Sequence, residues 1–260
     1  MAGLLGACDA DVPSTNTESN SSVQAPPLVT LTESITSAAP VAPIAPIAPV
    51  VATEPRWVDD QRIINLPISE PGSWLTYGQT YKEQRFSQLT QITPENIDEL
   101  GLAWSRQIGD YNMRMQGTPL VVDGVMYVTN GWSVVYALDA ITGEEIWHYD
   151  PAVDRSYIRL ACCGPAHNRG AAVYKGKVYV GTFDGRLVAI DATTGEEVWD
   201  VDTWTPEGLG RFNITGAPRA AAGKVYIGQG SSESGHRRGY VTAYDADTGE
   251  VDWRFFLVPG

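Results

Sequence analysis

Two cysteines that follow each other directly, Cys162 and Cys163, are the most chemically distinctive residues of the chain. Adjacent α-carbons stand about 3.8 Å apart across a trans peptide and about 2.9 Å across a cis one. A disulfide ordinarily needs roughly 4.4–6.8 Å between its α-carbons. A bond between the two would therefore be strained, and the alternative is a pair of reduced, buried thiols. A little downstream, Arg169 in Asn168-Arg169-Gly170 offers a planar, bidentate donor for carboxylates. Glu233, in Ser231-Ser232-Glu233, is a hard oxygen ligand of the kind calcium takes. Thr215, in Ile214-Thr215-Gly216-Ala217-Pro218, and Gln116, in Met115-Gln116-Gly117-Thr118-Pro119, can donate and accept hydrogen bonds. The one other cysteine is Cys8, so the chain has neither a conventional disulfide framework nor a metal-type CxxC.

The elements that must position these residues are short strands. Between Trp57 and Gly260, glycine, valine, tyrosine and tryptophan recur in brief alternating runs broken by turn dipeptides, which reads as all-β. Three segments align: Ala137 to Trp147 (ALDAITGEEIW), Ala189 to Trp199 (AIDATTGEEVW) and Ala243 to Trp253 (AYDADTGEVDW). Their aspartates Asp139, Asp191 and Asp245 set a repeat of just over fifty residues. A hairpin with a glycine-containing turn lies upstream of each, over Val121–Val128, Val173–Val180 and Ala221–Ile227. Four antiparallel strands per unit make a propeller blade. The aspartates are expected to bond the amides of each Thr-Gly turn, with glycine at positive φ, and the tryptophans to pack each outermost strand on the next blade. These repeated residues are therefore blade-packing residues and no catalytic set.

Thr93-Pro94 reads as the cap of a short helix ending at Gly101, and Leu102-Ala103-Trp104-Ser105 as an outer strand without a blade of its own, suited to closing a ring. The expected organisation is a tether over 1–56, a lead-in over 57–117 carrying that helix and closing strand, and three blades over 118–260. Propellers typically have about four to eight blades. Three do not close a ring, so the chain is expected to be a truncated part of a longer protein.

The N-terminal tether has its own pattern. Leu5-Gly6-Ala7-Cys8 resembles a bacterial lipobox, in which the cysteine receives a lipid. Few residues precede it, whereas a signal peptide needs a basic start and an apolar stretch of roughly 7–15 residues. Either a start lies upstream or the match is accidental. From Asp9 to Pro55 there is no aromatic residue and no lysine or arginine, so the segment cannot bury enough apolar area to offset its ordering entropy. Ala42 to Pro49, with proline at every third position, favours an extended polyproline II spacer. An ordinary disordered N-terminus with a chance cysteine is the alternative to a lipid anchor through Cys8. The net charge of -13 repels phosphate backbones and anionic lipid, which excludes nucleic acid as a partner of the folded part.

From Trp74 to Gly260 the chain resembles the N-terminal part of the PQQ-dependent (quinoprotein) methanol and alcohol dehydrogenases, whose eight blades carry this tryptophan motif around an axial pyrroloquinoline quinone. The resemblance implies that Cys162 and Cys163 form a vicinal disulfide against one face of PQQ, that Arg169 pairs with cofactor carboxylates, and that Thr215 hydrogen-bonds the quinone. It puts Ser231 and Ser232 where the family has Gly-Ala beside PQQ, and makes Glu233 a ligand of the metal, calcium or a lanthanide. Gln116 occupies a cofactor-site position where glutamate is common, and keeps hydrogen bonding while losing charge. Two segments depart by one added residue: Gly164 to His167, in which His167 reads as a loop residue, and Glu233 to Gly239, which gains His236, Arg237 or Arg238. The family's catalytic aspartate, its second metal ligand and its tryptophan on the other PQQ face belong to later blades, so no catalytic base is assigned. The implied function is periplasmic oxidation of a primary alcohol or similar substrate, with an electron acceptor such as a cytochrome c. The rival is a non-catalytic periplasmic propeller lipoprotein acting as an interaction scaffold, which gives no reason for Cys162, Cys163, Arg169, Thr215 and Glu233 to occur together.

Overall fold

The structure, a computed structural model, describes residues 56–109, 113–159, 165–204, 213–229 and 238–259. A ten-residue helix, α1 (Asp60–Ser69), comes first, and a short strand β1 (Arg114–Met115) leads into the sheets. The first sheet runs β2 (Leu120–Val122), β3 (Val125–Thr129), β4 (Val135–Asp139) and β5 (Glu145–Tyr149). A second short strand, β6 (His167–Asn168), precedes β7 (Ala172–Tyr174), β8 (Lys177–Gly181), β9 (Arg186–Asp191) and β10 (Glu197–Asp202). The third sheet runs β11 (Arg219–Ala221), β12 (Lys224–Gln229), β13 (Tyr240–Asp245) and β14 (Val251–Phe256). All three are antiparallel with strands in chain order, which is the blade expected from the repeats. The first strands β7 and β11 pack on each other, so first strands form the inner edge and fourth strands the outer rim.

Each blade repeats the same local solutions. Its first hairpin turns through two residues at positive φ, Asp123-Gly124 (48° and 78°), Lys175-Gly176 (49° and 71°) and Ala222-Gly223 (51° and 75°). Such a turn has the twist that the flanking strands require. In the last turn, Asp139 Oδ1 accepts from the amides of Ile141 and Thr142 at 2.9 and 2.8 Å. Asp191 and Asp245 do the same for Thr193 and Thr194, and for Asp247 and Thr248. The fourth strand then pairs Trp147 with Ala137, Trp199 with Ala189 and Trp253 with Ala243, one equivalent position in all three blades.

The indoles join the blades. Trp147 lies so close over the next blade's turn that a Cβ on Gly195 would sit 2.7 Å from its ring, and Trp199 covers Gly249 in the same way at 2.9 Å. Trp147 Nε1 donates to Ala192 O at 3.3 Å and Trp199 Nε1 to Ala246 O at 3.4 Å. Tyrosines of the second strands reach the same carbonyls, Tyr127 to Ala192 at 2.8 Å and Tyr179 to Ala246 at 2.9 Å. Trp253 remains 43% exposed against 9% for Trp147.

The lead-in differs from expectation in its helices. No α-helix follows Thr93: Asn96 Oδ1 accepts the Thr93 amide at 2.7 Å, and the chain makes only a 3-10 turn over Ile97–Glu99. Such local side-chain bonding competes with helix growth. Leu102 to Ser105 pairs as a strand with none of the described residues, yet Trp104 docks as a blade tryptophan does, over Gly143 and with Nε1 on Ala140 O at 3.3 Å. The true helix is α1, capped by the Asp59 side chain on the Arg62 amide and burying Ile63 and Leu66. It fastens the first hairpin turns of all three blades. Arg62 pairs with Asp123, Lys175 N donates to Val58 O at 2.7 Å, and Asp60 accepts from Tyr174 Oη and the Ala222 amide. α1 thus covers the end of the inner strands opposite to where the chain enters them.

Gly195→Ala combines a strained positive φ with an overlap against Trp147, so it should destabilise the fold by about 1–3 kcal/mol. Gly101→Ala, where an added Cβ meets nothing within 4 Å, serves as the control in thermal unfolding; equal midpoints would refute the docking role. The turn amides, Thr142's first, hold the Asp139 carboxyl below the usual carboxylate range, and those of Thr248 and Asp247 hold Asp245 likewise. A carboxylate with a lowered folded pKa adds stability that is complete above the unfolded value, about 3.9, and is lost as pH falls through the folded one. The unfolding midpoint should therefore drop between about pH 5 and about pH 2, less steeply in Asp139→Asn.

Candidate functional site

Gln116, Arg169 and Thr215 occupy the same place in three successive repeats. Each stands just ahead of a blade's first strand, and each is followed by glycine. Main-chain bonds join the three segments side by side. β1 and β6 pair in parallel, Met115 against Asn168, with Arg114 N on Ala166 O at 2.9 Å and Gln116 N on Asn168 O at 3.1 Å. Arg169 N then donates to Thr215 O at 2.9 Å, so the row continues to the third segment. Gly117 and Gly170 allow the first two to approach: a Cβ on Gly117 would lie 3.0 Å from the Gly170 α-carbon, and Gly170 itself sits at φ 116°.

The side chains converge as well. Arg169 Nη1 donates to Thr215 Oγ1, with Arg169 exposed and Thr215 half-buried. Among the described residues no carboxylate pairs with Arg169. Gln116 is exposed on the neighbouring segment. A guanidinium, a hydroxyl and an amide make a row of donors at the inner edge, and that set fits a rigid ligand bearing carboxylate and carbonyl oxygens, as PQQ does. The neutral Gln116 adds no carboxylate to compete for Arg169.

Five of the eight nominated residues, Cys162, Cys163, Ser231, Ser232 and Glu233, lie outside the described residues, as does Cys8. Among the described residues no three His, Cys, Asp or Glu side chains cluster on a metal position. His167 is a strand residue of β6 and not a loop residue, because the parallel pairing with Arg114 extends to it; it is half-buried, Nδ1 lying 3.2 Å from Pro165 O and its ring beside Phe183. Arg238 turns away from the site, with Nε on Val258 O at 2.7 Å and its guanidinium over Phe256. Sequence reasoning passed over Asn168 and Ile214, the residues preceding Arg169 and Thr215. Both are buried, at 0% and 1% exposure. The signal was present in their place one step before each nominated residue.

Residues 74–260 match the family model described as glucose/ethanol/alcohol dehydrogenase, beta-propeller domain, designated PQQ. A quinohemoprotein alcohol dehydrogenase of Pseudomonas putida is 54% identical over 211 residues, covering 81% of this chain and 29% of that protein. The solved structure of the quinohemoprotein alcohol dehydrogenase from Comamonas testosteroni superposes with a TM-score of 0.74 at 51% identity, over 79% of this chain and 30% of that one. A europium-containing methanol dehydrogenase superposes with a TM-score of 0.67 at 37% identity, over 75% of this chain and 34% of that one. The chain thus spans about three tenths of the length of the first two relatives. By its repeats, its blades and the extent of this match, the chain belongs to the PQQ family of glucose, ethanol and alcohol dehydrogenases, as part of their β-propeller domain.

Proposed function

We propose that this chain is the N-terminal part of a PQQ- and metal-dependent alcohol dehydrogenase that oxidises a primary alcohol or similar substrate. The observation that carries the reading is the convergence of Arg169, Thr215 and Gln116 on one inner edge, with no carboxylate partner for Arg169 among the described residues. Bound there, PQQ would supply a two-electron acceptor for the alcohol and the metal a Lewis acid. Arg169 neutralises a carboxylate of the ligand. Thr215 Oγ1 already accepts from Arg169, so its own proton is directed to an oxygen of the ligand. Gln116 adds a neutral donor and acceptor beside them. Cys162 and Cys163, as a vicinal disulfide, cover one face; Ser231 and Ser232 line the next segment, and Glu233 contributes a carboxylate to calcium or a lanthanide. The europium in the methanol dehydrogenase relative supports such a metal.

The proposal includes export to the periplasm with Cys8 as the lipid attachment point, and delivery of electrons to an acceptor such as a cytochrome c. Among the described residues no helix is long and apolar enough to cross a membrane.

The test uses the full-length protein reconstituted with PQQ and calcium, assayed by dye-linked oxidation of a primary alcohol. Wild type should turn over, and Glu233→Gln should abolish turnover or sharply raise the calcium needed for it, because an amide replaces a charged ligand. Unchanged turnover and calcium dependence in the variant would remove Glu233 from the site.

A further inference from the structure

We propose that Asn168 is the positioning residue that sets the direction of Arg169, an inference that rests on reading Arg169 as a cofactor ligand. Its side chain is wholly buried, and every polar position on it is used. Oδ1 accepts from Thr129 Oγ1 at 2.8 Å and from the Gly170 amide at 2.8 Å. Nδ2 donates to Ser133 Oγ at 3.2 Å and to Gly181 O at 3.0 Å. Thr129 closes β3 and Ser133 precedes β4 in the first blade, Gly181 closes β8 in the second, and Gly170 follows Arg169 itself. One amide therefore keys the segment to both blades at once.

The consequence for Arg169 follows from strand geometry. Successive side chains of an extended segment point to opposite faces. With Asn168 locked inward, Arg169 is turned outward onto the edge it shares with Thr215 and Gln116. The bond from Gly170 N to Asn168 Oδ1 also fixes the chain on the far side of Arg169, where φ is 116°. A slip by one residue would bury the guanidinium and expose the amide.

In the next repeat the side chain before Thr215 packs where that of Asn168 hydrogen-bonds, while the Ile214 amide reaches Thr182 O at 3.3 Å. Ile214 precedes Thr215 and fills the space beside Gly181, where a Cβ would stand 2.5 Å from Ile214 Cγ2. Thr129 and Gly181 are equivalent final residues of their strands, each four positions past the residue that pairs with the turn aspartate. Asn168 and Ile214 thus insert into the preceding blade at matching points. A fully satisfied buried amide specifies one arrangement more narrowly than apolar packing does.

The experiment is an equilibrium titration of PQQ into the calcium-loaded, full-length apo-protein, without alcohol or dye, for wild type, Asn168→Asp, Thr129→Val, Arg169→Ala and each of the first two combined with Arg169→Ala. Asn168→Asp keeps shape and loses the donor to Gly181 O; Thr129→Val keeps shape and removes one bond. Asn168→Asp should weaken PQQ binding about tenfold and Thr129→Val about threefold, with no further loss of affinity once Arg169 is alanine. Thermal unfolding identifies any variant that fails to fold, in which case Thr129→Val carries the test. Wild-type affinity in both single variants beside a weakened Arg169→Ala would overturn the positioning role alone, as would equal losses with and without Arg169. Unchanged affinity in Arg169→Ala would overturn both this role and the reading it rests on.

Discussion

The contact on which the rest of the structure depends is the meeting of an indole and a tyrosine from one blade with a single carbonyl of the next. Trp147 Nε1 and Tyr127 Oη share Ala192 O, and Trp199 Nε1 and Tyr179 Oη share Ala246 O. Burying an indole of 150–250 Å² is worth about 4–6 kcal/mol gross, against about 1 kcal/mol for a hydrogen bond. Apolar burial therefore holds the blades together, and the hydrogen bonds decide where they stop. Glycine in the Thr-Gly turn serves both purposes, since only it tolerates φ near 78° at Gly195 and leaves room for the ring.

That spacing at the rim sets the spacing at the inner edge. First strands held at a fixed separation bring the segments that precede them close enough for Gln116 N, Asn168 O, Arg169 N and Thr215 O to form a continuous row. Helix α1 fastens the opposite ends through Asp123, Asp60 and Val58, so the inner strands are tied at one end by the helix and at the other by the row. Side chains that the row leaves outside, Arg169 and Gln116, remain available to a ligand. Those it turns inside, Asn168 and Ile214, hold it in register.

The fold was legible because its signals are local and repeated. Asp139, Asp191 and Asp245 recur at just over fifty residues, each after a glycine-containing hairpin turn and each at the same interval before its tryptophan, and each acts through neighbours in its own unit or the next. α1 was missed because Pro67 interrupts its pattern and only Ile63 and Leu66 are buried, too few to mark a helical stripe. The helix read at Thr93 failed for the opposite reason: Thr93-Pro94 has the residue types of a cap but caps no helix, because Asn96 bonds the Thr93 amide and the Gln91 carbonyl and keeps the segment a turn. In the candidate site, Arg169, Thr215 and Gln116 were nominated by family resemblance, while their equivalence within the repeat was readable from the glycine that follows each. The place of Asn168 was visible in the same way, one step before Arg169, but its four bonds were not, because Thr129 and Ser133 stand in another blade and nothing in the residue type announces so many partners.

The most direct test of the inner edge as the cofactor site is a crystal structure of the full-length protein with PQQ bound. The Arg169 guanidinium and the Thr215 hydroxyl are expected within about 3.2 Å of cofactor oxygens, with Gln116 on the same side and Asn168 still bonded to Thr129 and Gly181. PQQ lying elsewhere, or Arg169 turned onto a carboxylate of the protein with the cofactor beyond its reach, would contradict it.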